Sequence, residues 1–73
     1  MSLRPLPFRE VKRKLEAAGF AEVSSKGSHV KFARKTSQGT YTAVVPHHRE
    51  VPAGTLRSIL RQAGIDPDEF ERL

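Results

Sequence analysis

Apolar residues recur near the start of the chain at helical spacing: Phe8, Val11, Leu15 and Ala18 form one stripe, with Pro7 where a first turn tolerates it and Gly19 as a C-terminal stop. The spacing predicts an amphipathic helix whose outer face carries Arg9, Lys12, Arg13 and Lys14, with Glu10 and Glu16 between them. The period then changes. Phe20 to Ser25 is short and mixed, Lys26-Gly27-Ser28 reads as a tight turn, and Ser28 to Arg34 alternates. Val30 and Phe32 therefore share one face of a strand, and His29, Lys31 and Ala33 share the other. Thr36-Ser37-Gln38-Gly39 supplies a second turn, and the β-branched run from Thr40 to Val45 a third strand. After Pro46 a polar stretch reaches Pro52. Leu56, Ile59, Leu60 and Ala63 then mark a second amphipathic helix, stopped by Gly64, with Ile65 placed to close its end. Asp66-Pro67-Asp68-Glu69 combines an N-cap, a Pro at the first helical position and a capping-box acid, and Phe70 and Leu73 form the apolar side of a last short helix.

This order predicts an α+β fold, α-β-β-β-α with a C-terminal helical turn: a three-stranded antiparallel sheet with both main helices on one face and the other face open to water. That is the topology of double-stranded-RNA-binding domains. The expected core is Phe8, Val11, Leu15, Val30, Phe32, Leu56, Ile59 and Leu60. A one-residue slip of the second strand would exchange its faces, so an exposed His29 is a test of the whole register.

Length and composition narrow the setting. At 73 residues the chain is expected to be a single domain, residues 1–73, with a small core. Cysteine is absent, which removes disulfide staples and thiolate metal sites. No apolar run approaches a membrane span and the N-terminus lacks an apolar signal region, so the expected address is cytoplasmic. Charge changes the picture more. Net charge is +5, but four acids, Asp66, Asp68, Glu69 and Glu71, crowd the C-terminal end, and from Met1 to Ile65 twelve basic residues face four acidic ones, a balance of +8. Such a body attracts polyanions and speeds encounter with them. The same charge also suits an acidic protein partner or a merely soluble surface.

His29 follows Gly27-Ser28 at the start of the second strand, on its polar side. A histidine there can meet a substrate and exchange a proton near neutral pH, although a surface histidine is the commoner outcome of such a pattern. Lys31 lies on the same face and Lys26 in the adjoining turn, where cations stabilise charge developing on a phosphate. Gly27 suits a turn with positive φ and lets a phosphate approach bare backbone; it also suits a plain hairpin. His47 and His48 are adjacent, so as strand-like neighbours they point apart, and no acid or thiol stands at ligand spacing beside them; no metal site is expected. His48 fits a phosphate contact, a helix cap or a solvated loop equally well. Arg57 and Arg61 lie one turn apart on the polar side of the second helix, with Thr55 near its start, where helix N-termini attract phosphate. Tyr41 suits base stacking or a half-buried strand position.

Four segments carry a resemblance: Gly19-Phe20, Lys26-Gly27-Ser28-His29, Val45-Pro46-x-His48, and the run from Gly54 through Thr55-Leu56-Arg57-Ser58-Ile59-Leu60-Arg61-Gln62-Ala63-Gly64 to Ile65. In this order and spacing, from about Leu15 to the C-terminus, the chain resembles the HicA family of toxin-antitoxin systems, also called YcfA-like. The resemblance implies a double-stranded-RNA-binding-domain-like fold and a ribosome-independent mRNA interferase that cleaves transcripts and arrests translation. It implies that the family's essential histidine, which follows Gly-Ser, is His29, and that a HicB antitoxin binds the toxin and masks this histidine. The segment before the first helix is not distinctive, and His47 is an additional neighbour to the matched His48.

The expected function is therefore a toxin endoribonuclease in which His29 is catalytic, with RNA bound by Lys26, Gly27, Ser28, Lys31, His48, Arg57 and Arg61, and with no cofactor or metal. RNA carries its own nucleophile, the 2′-hydroxyl, so one proton-transfer group beside cations can support metal-independent cleavage. A non-catalytic double-stranded-RNA-binding module of the same fold would need the same basic face but no special His29. A protein-interaction domain would use that face for an acidic partner alone.

Overall fold

Val11, Leu15, Phe32, Val45 and Leu56 have no exposed surface, and the elements that carry them set the architecture. In the computed structural model, which describes residues 3–73, the order is α1 (Phe8–Ala17), β1 (Ala21–Lys26), β2 (His29–Thr36), β3 (Gly39–Pro46), α2 (Ala53–Ala63) and α3 (Pro67–Glu71). All eight residues expected in the core are buried, joined by Phe20, Ala43, Val51, Ala63, Ile65 and Phe70 among others. The fold is the α+β arrangement that the hydrophobic pattern predicts.

The sheet is antiparallel throughout, in the order β1-β2-β3. Directly paired residues share a face, so the register sorts the side chains. Val30 pairs with Val45 and Phe32 with Ala43 on the face that α1 and α2 cover, where the Phe8 and Phe32 rings lie 6.4 Å apart. His29 pairs with Lys26 on one side and Pro46 on the other, and Lys31 with Ser24 and Val44, all on the opposite face.

The strands run slightly further than the sequence pattern implies, because both hairpins close on two residues. Lys26 and His29 are partners, leaving only Gly27 and Ser28 in the turn. Gly27 has φ +60° and Ser28 after it does not have a positive φ, the signature of a type II′ turn with glycine first. At the second hairpin the Thr36 hydroxyl accepts from the Gln38 N–H at 3.1 Å and donates to the Gly39 carbonyl at 2.9 Å. The sheet edges differ. β1 is exposed along its whole length and carries a bulge between Glu22 and Ser24, which interrupts the ladder as exposed edges often do. β3 is partly shielded by α2, whose Gln62 accepts from the Val44 N–H at 3.1 Å.

Both main helices end in the same way. The Phe20 N–H reaches the Leu15 carbonyl at 2.9 Å and the Ile65 N–H reaches that of Leu60 at 3.0 Å, each beyond a glycine of positive φ. Leu60 and Ile65 are both buried, so the apolar closure expected of Ile65 is present. Asp66 caps α3 by accepting from the Asp68 N–H at 2.9 Å.

The cations of α1 divide unequally. Lys12 pairs with Glu22 at 3.2 Å, and Arg13 with Glu10 at 2.8 Å, a bond that holds the Glu10 carboxyl below its usual range. Lys14 folds over α3: its Nζ donates to the carbonyls of Phe70, Leu73 and Glu71 at 3.0, 3.1 and 3.4 Å and sits 5.1 Å from the Phe70 ring centroid. The outer basic face expected of this helix is thereby reduced to Arg9, the one α1 cation without a side-chain hydrogen bond or ion pair among the described residues.

Candidate nucleic-acid interface

β2 begins at His29 and β3 ends at Pro46, so these paired residues mark one end of the sheet. Backbone hydrogen bonds tie the following loop to that end. The His47 N–H donates to the Ser28 carbonyl at 2.5 Å, inside the hairpin that carries His29, and the Phe8 N–H donates to the His48 carbonyl at 3.3 Å, at the start of α1. Val51 and Leu6 exchange bonds of 2.6 and 3.1 Å and close the loop on its far side. The His47 ring stacks on that of Phe8, centroids 4.1 Å apart and planes 30° from parallel.

The same contacts orient the helices. α1 starts against His47, whereas its C-terminal Gly19 adjoins the Arg34 side chain near the other end of the sheet. α2 starts after the loop and ends at Gly64 against Tyr41, the partner of Arg34. Both helix N-termini, the positive ends of their dipoles, therefore point to the end that carries His29.

Lys26, Gly27, Ser28, His29, Lys31 and His48 are all exposed. Among the described residues no side-chain hydrogen bond or ion pair engages Lys26, His29, Lys31 or His48. The turn is open as well, with no atom within 4 Å of where a Cβ on Gly27 would stand. This part of the chain offers two cross-strand cations, a free imidazole and bare turn backbone on one surface. An anionic backbone fits it; a buried catalytic cleft is not what it forms.

Arg57 and Arg61 are exposed on α2, within the helix layer, and so lie on the opposite side of the sheet from Lys31. Thr55 stands in the first turn of α2. Tyr41 is 38% exposed and packs on Gly64, taking the half-buried strand role rather than a place on the open face. Among the described residues no three His, Cys, Asp or Glu side chains gather closely enough to hold a metal ion, and no helix is long and apolar enough to cross a membrane. Sequence reasoning missed one feature beside this surface: Pro7, Phe8, Arg9, His47, His48 and Arg49 line a groove of about 390 Å³. The groove joins residues some forty positions apart through one ring stack, and no local period signals it.

A family model described as the HicA toxin of bacterial toxin-antitoxin systems matches residues 8–65, from the first residue of α1 to the residue that closes α2. The chain belongs to the HicA toxin family. No curated protein matches it. HicA membership makes it a ribonuclease-type toxin and implies an RNA substrate and an antitoxin partner. RNA is a polyanion, and the exposed cations at this end of the sheet carry the charge that attracts one.

Proposed function

We propose that this HicA toxin is an mRNA interferase, acting in the cytoplasm as a single domain, that cuts RNA at the end of the sheet carrying His29. One observation carries the reading: His29 and Lys26 are direct cross-strand partners on the open face, the imidazole without a protein partner and the cations without an acid. A scissile phosphate set between them meets a proton-transfer group and a positive charge together. Lys31, the next residue on that face, and the open Gly27-Ser28 backbone extend the anion site, and the exposed His48 adds a further polar contact. Arg57 and Arg61, on the helix layer, bind RNA through the long-range positive field that gathers it.

In the step proposed, the RNA 2′-oxygen attacks phosphorus and loses its proton as the bond from phosphorus to the 5′-oxygen breaks. The leaving oxygen takes up a proton, so the products are a 2′,3′-cyclic phosphate and a 5′-hydroxyl. His29 transfers one of these protons, and Lys26 and Lys31 offset the charge that builds on the phosphoryl oxygens. A HicB-type antitoxin neutralises the toxin by covering the face that bears His29. The test is cleavage of a plain transcript by purified protein in excess EDTA. Wild type should cut and leave cyclic phosphate ends, and His29→Ala should remain folded and slow by about a hundred- to ten-thousandfold. Cutting by His29→Ala at the wild-type rate would remove His29 from the chemistry.

A further inference from the structure

Apart from His48, the residues lining the groove at this end of the sheet have no part in the step above, yet their composition is one-sided. Arg9 and Arg49 are exposed and free of ion pairs among the described residues, although every other cation of α1 is engaged. His47 lines the groove with them, one ring face seated on Phe8, and it remains exposed. Phe8 is buried, so it acts as a fixed backing for that imidazole. No acidic residue lines the groove. Its volume of about 390 Å³ falls within the range of small-ligand sites, about 300–1,000 Å³.

Cations lining one groove with a backed aromatic ring are the combination by which proteins hold single-stranded nucleic acid: phosphates on the cations, a base on the ring. The hydrogen bond from His47 to the Ser28 carbonyl fixes the groove one residue beyond the His29–Pro46 pair, on the helix side of that end of the sheet, so a strand that meets both passes around the end rather than across the sheet. We propose that this groove is a nucleotide subsite, which holds the base next to the scissile phosphate on His47 and the neighbouring phosphates on Arg9 and Arg49. The inference rests on RNA being the substrate of the His29 face, and it adds what that reading lacks, a contact to a base. Substrate recognition would then require an unpaired nucleotide at that position.

The test uses the full chain carrying His29→Ala, so that bound RNA stays intact, with a labelled single-stranded RNA oligonucleotide. Arg9→Gln with Arg49→Gln should weaken binding at least tenfold and lower the salt slope by about 1.4, the value for two phosphate contacts on a single strand. His47→Ala should weaken it about five- to a hundredfold, the range for loss of one stacked base, whereas His47→Phe, which keeps a ring on Phe8, should bind like the parent. Crosslinking from a 4-thiouridine oligonucleotide should label the peptides around residues 7–9 or 47–49. Equal losses in His47→Ala and His47→Phe would overturn the stacking platform. Parent-like affinity and slope in the doubly neutral variant would overturn the subsite while leaving His29 cleavage standing. Should those variants instead lose only antitoxin binding, the groove belongs to a protein partner. Absence of RNA binding in every variant would remove both readings.

Discussion

Tyr41 stands where a side chain on Gly64 would have to go: a Cβ built on the glycine falls 2.7 Å from Tyr41 Cε2 and 3.0 Å from Cδ2. Gly64 also holds φ +70°, which L-residues adopt at a cost. The pair fixes the end of α2 against the far end of β3 and thereby points the N-terminus of α2 toward His29.

Gly64→Ala should therefore destabilise the fold by about 2–4 kcal/mol, one part from the left-handed backbone and one from the clash. The two parts separate in a double-mutant cycle. In a Tyr41→Ala background the clash is gone, and Gly64→Ala should cost less by about 1 kcal/mol or more. Strictly additive losses in chemical denaturation would show that the ring does not constrain the site.

The paired segments of this fold are legible in the sequence because local rules decide them. Alternation set Val30 and Phe32 against His29 and Lys31, and two glycines with following apolar residues marked both helix ends. What was not legible depends on long-range packing. Lys14 reads as a solvated helix cation and instead binds carbonyls more than fifty residues away. His47 reads as a loop residue, and its stack on Phe8 needs the whole sheet between them to form. The grouping of RNA-binding candidates was legible by charge alone, which does not distinguish one side of the sheet from the other; Arg57 and Arg61 are separated from Lys31 for that reason.

Lys14 offers a second stability test. Its ammonium bridges three carbonyls at the end of α3 and is partly buried there. Lys14→Met keeps the stem but removes the donors, and should cost about 1.5–3 kcal/mol, the range for hydrogen bonds to a charged group. The loss should concentrate locally. Amide hydrogen exchange across residues 66–73 should accelerate more than that of β2, and uniform acceleration throughout the chain would contradict a local clamp.

The antitoxin should seat on the open face of the sheet. Val44 is 40% exposed there and pairs with Lys31, so an apolar contact and a charge stand side by side at the centre of that face. Val44→Asp should weaken the toxin-antitoxin complex by tenfold or more, since it replaces an apolar contact with a carboxylate that binding would strip of water. Arg61→Gln, on the helix layer, should leave it unchanged. The reverse ranking by calorimetry would place the antitoxin on the helices and require inhibition without covering His29.

Salt dependence discriminates the two sides of the molecule for RNA. A strand that lies on the open face touches Lys31 directly, whereas Arg57 across the sheet can act on it only through the screened field. Lys31→Gln should therefore lower the slope of log affinity against log salt by about 0.7, one phosphate contact on a single strand. Arg57→Gln removes the same formal charge, so any difference between the two variants reports position alone. At ionic strengths of 0.1 M and above the Debye length is about 10 Å or less, and the Arg57 variant should approach wild-type affinity while the Lys31 variant stays weaker. Equal slopes and equal losses for the two variants would mean that the RNA wraps from the sheet onto the helix layer, and the one-sided site would have to be redrawn to include α2.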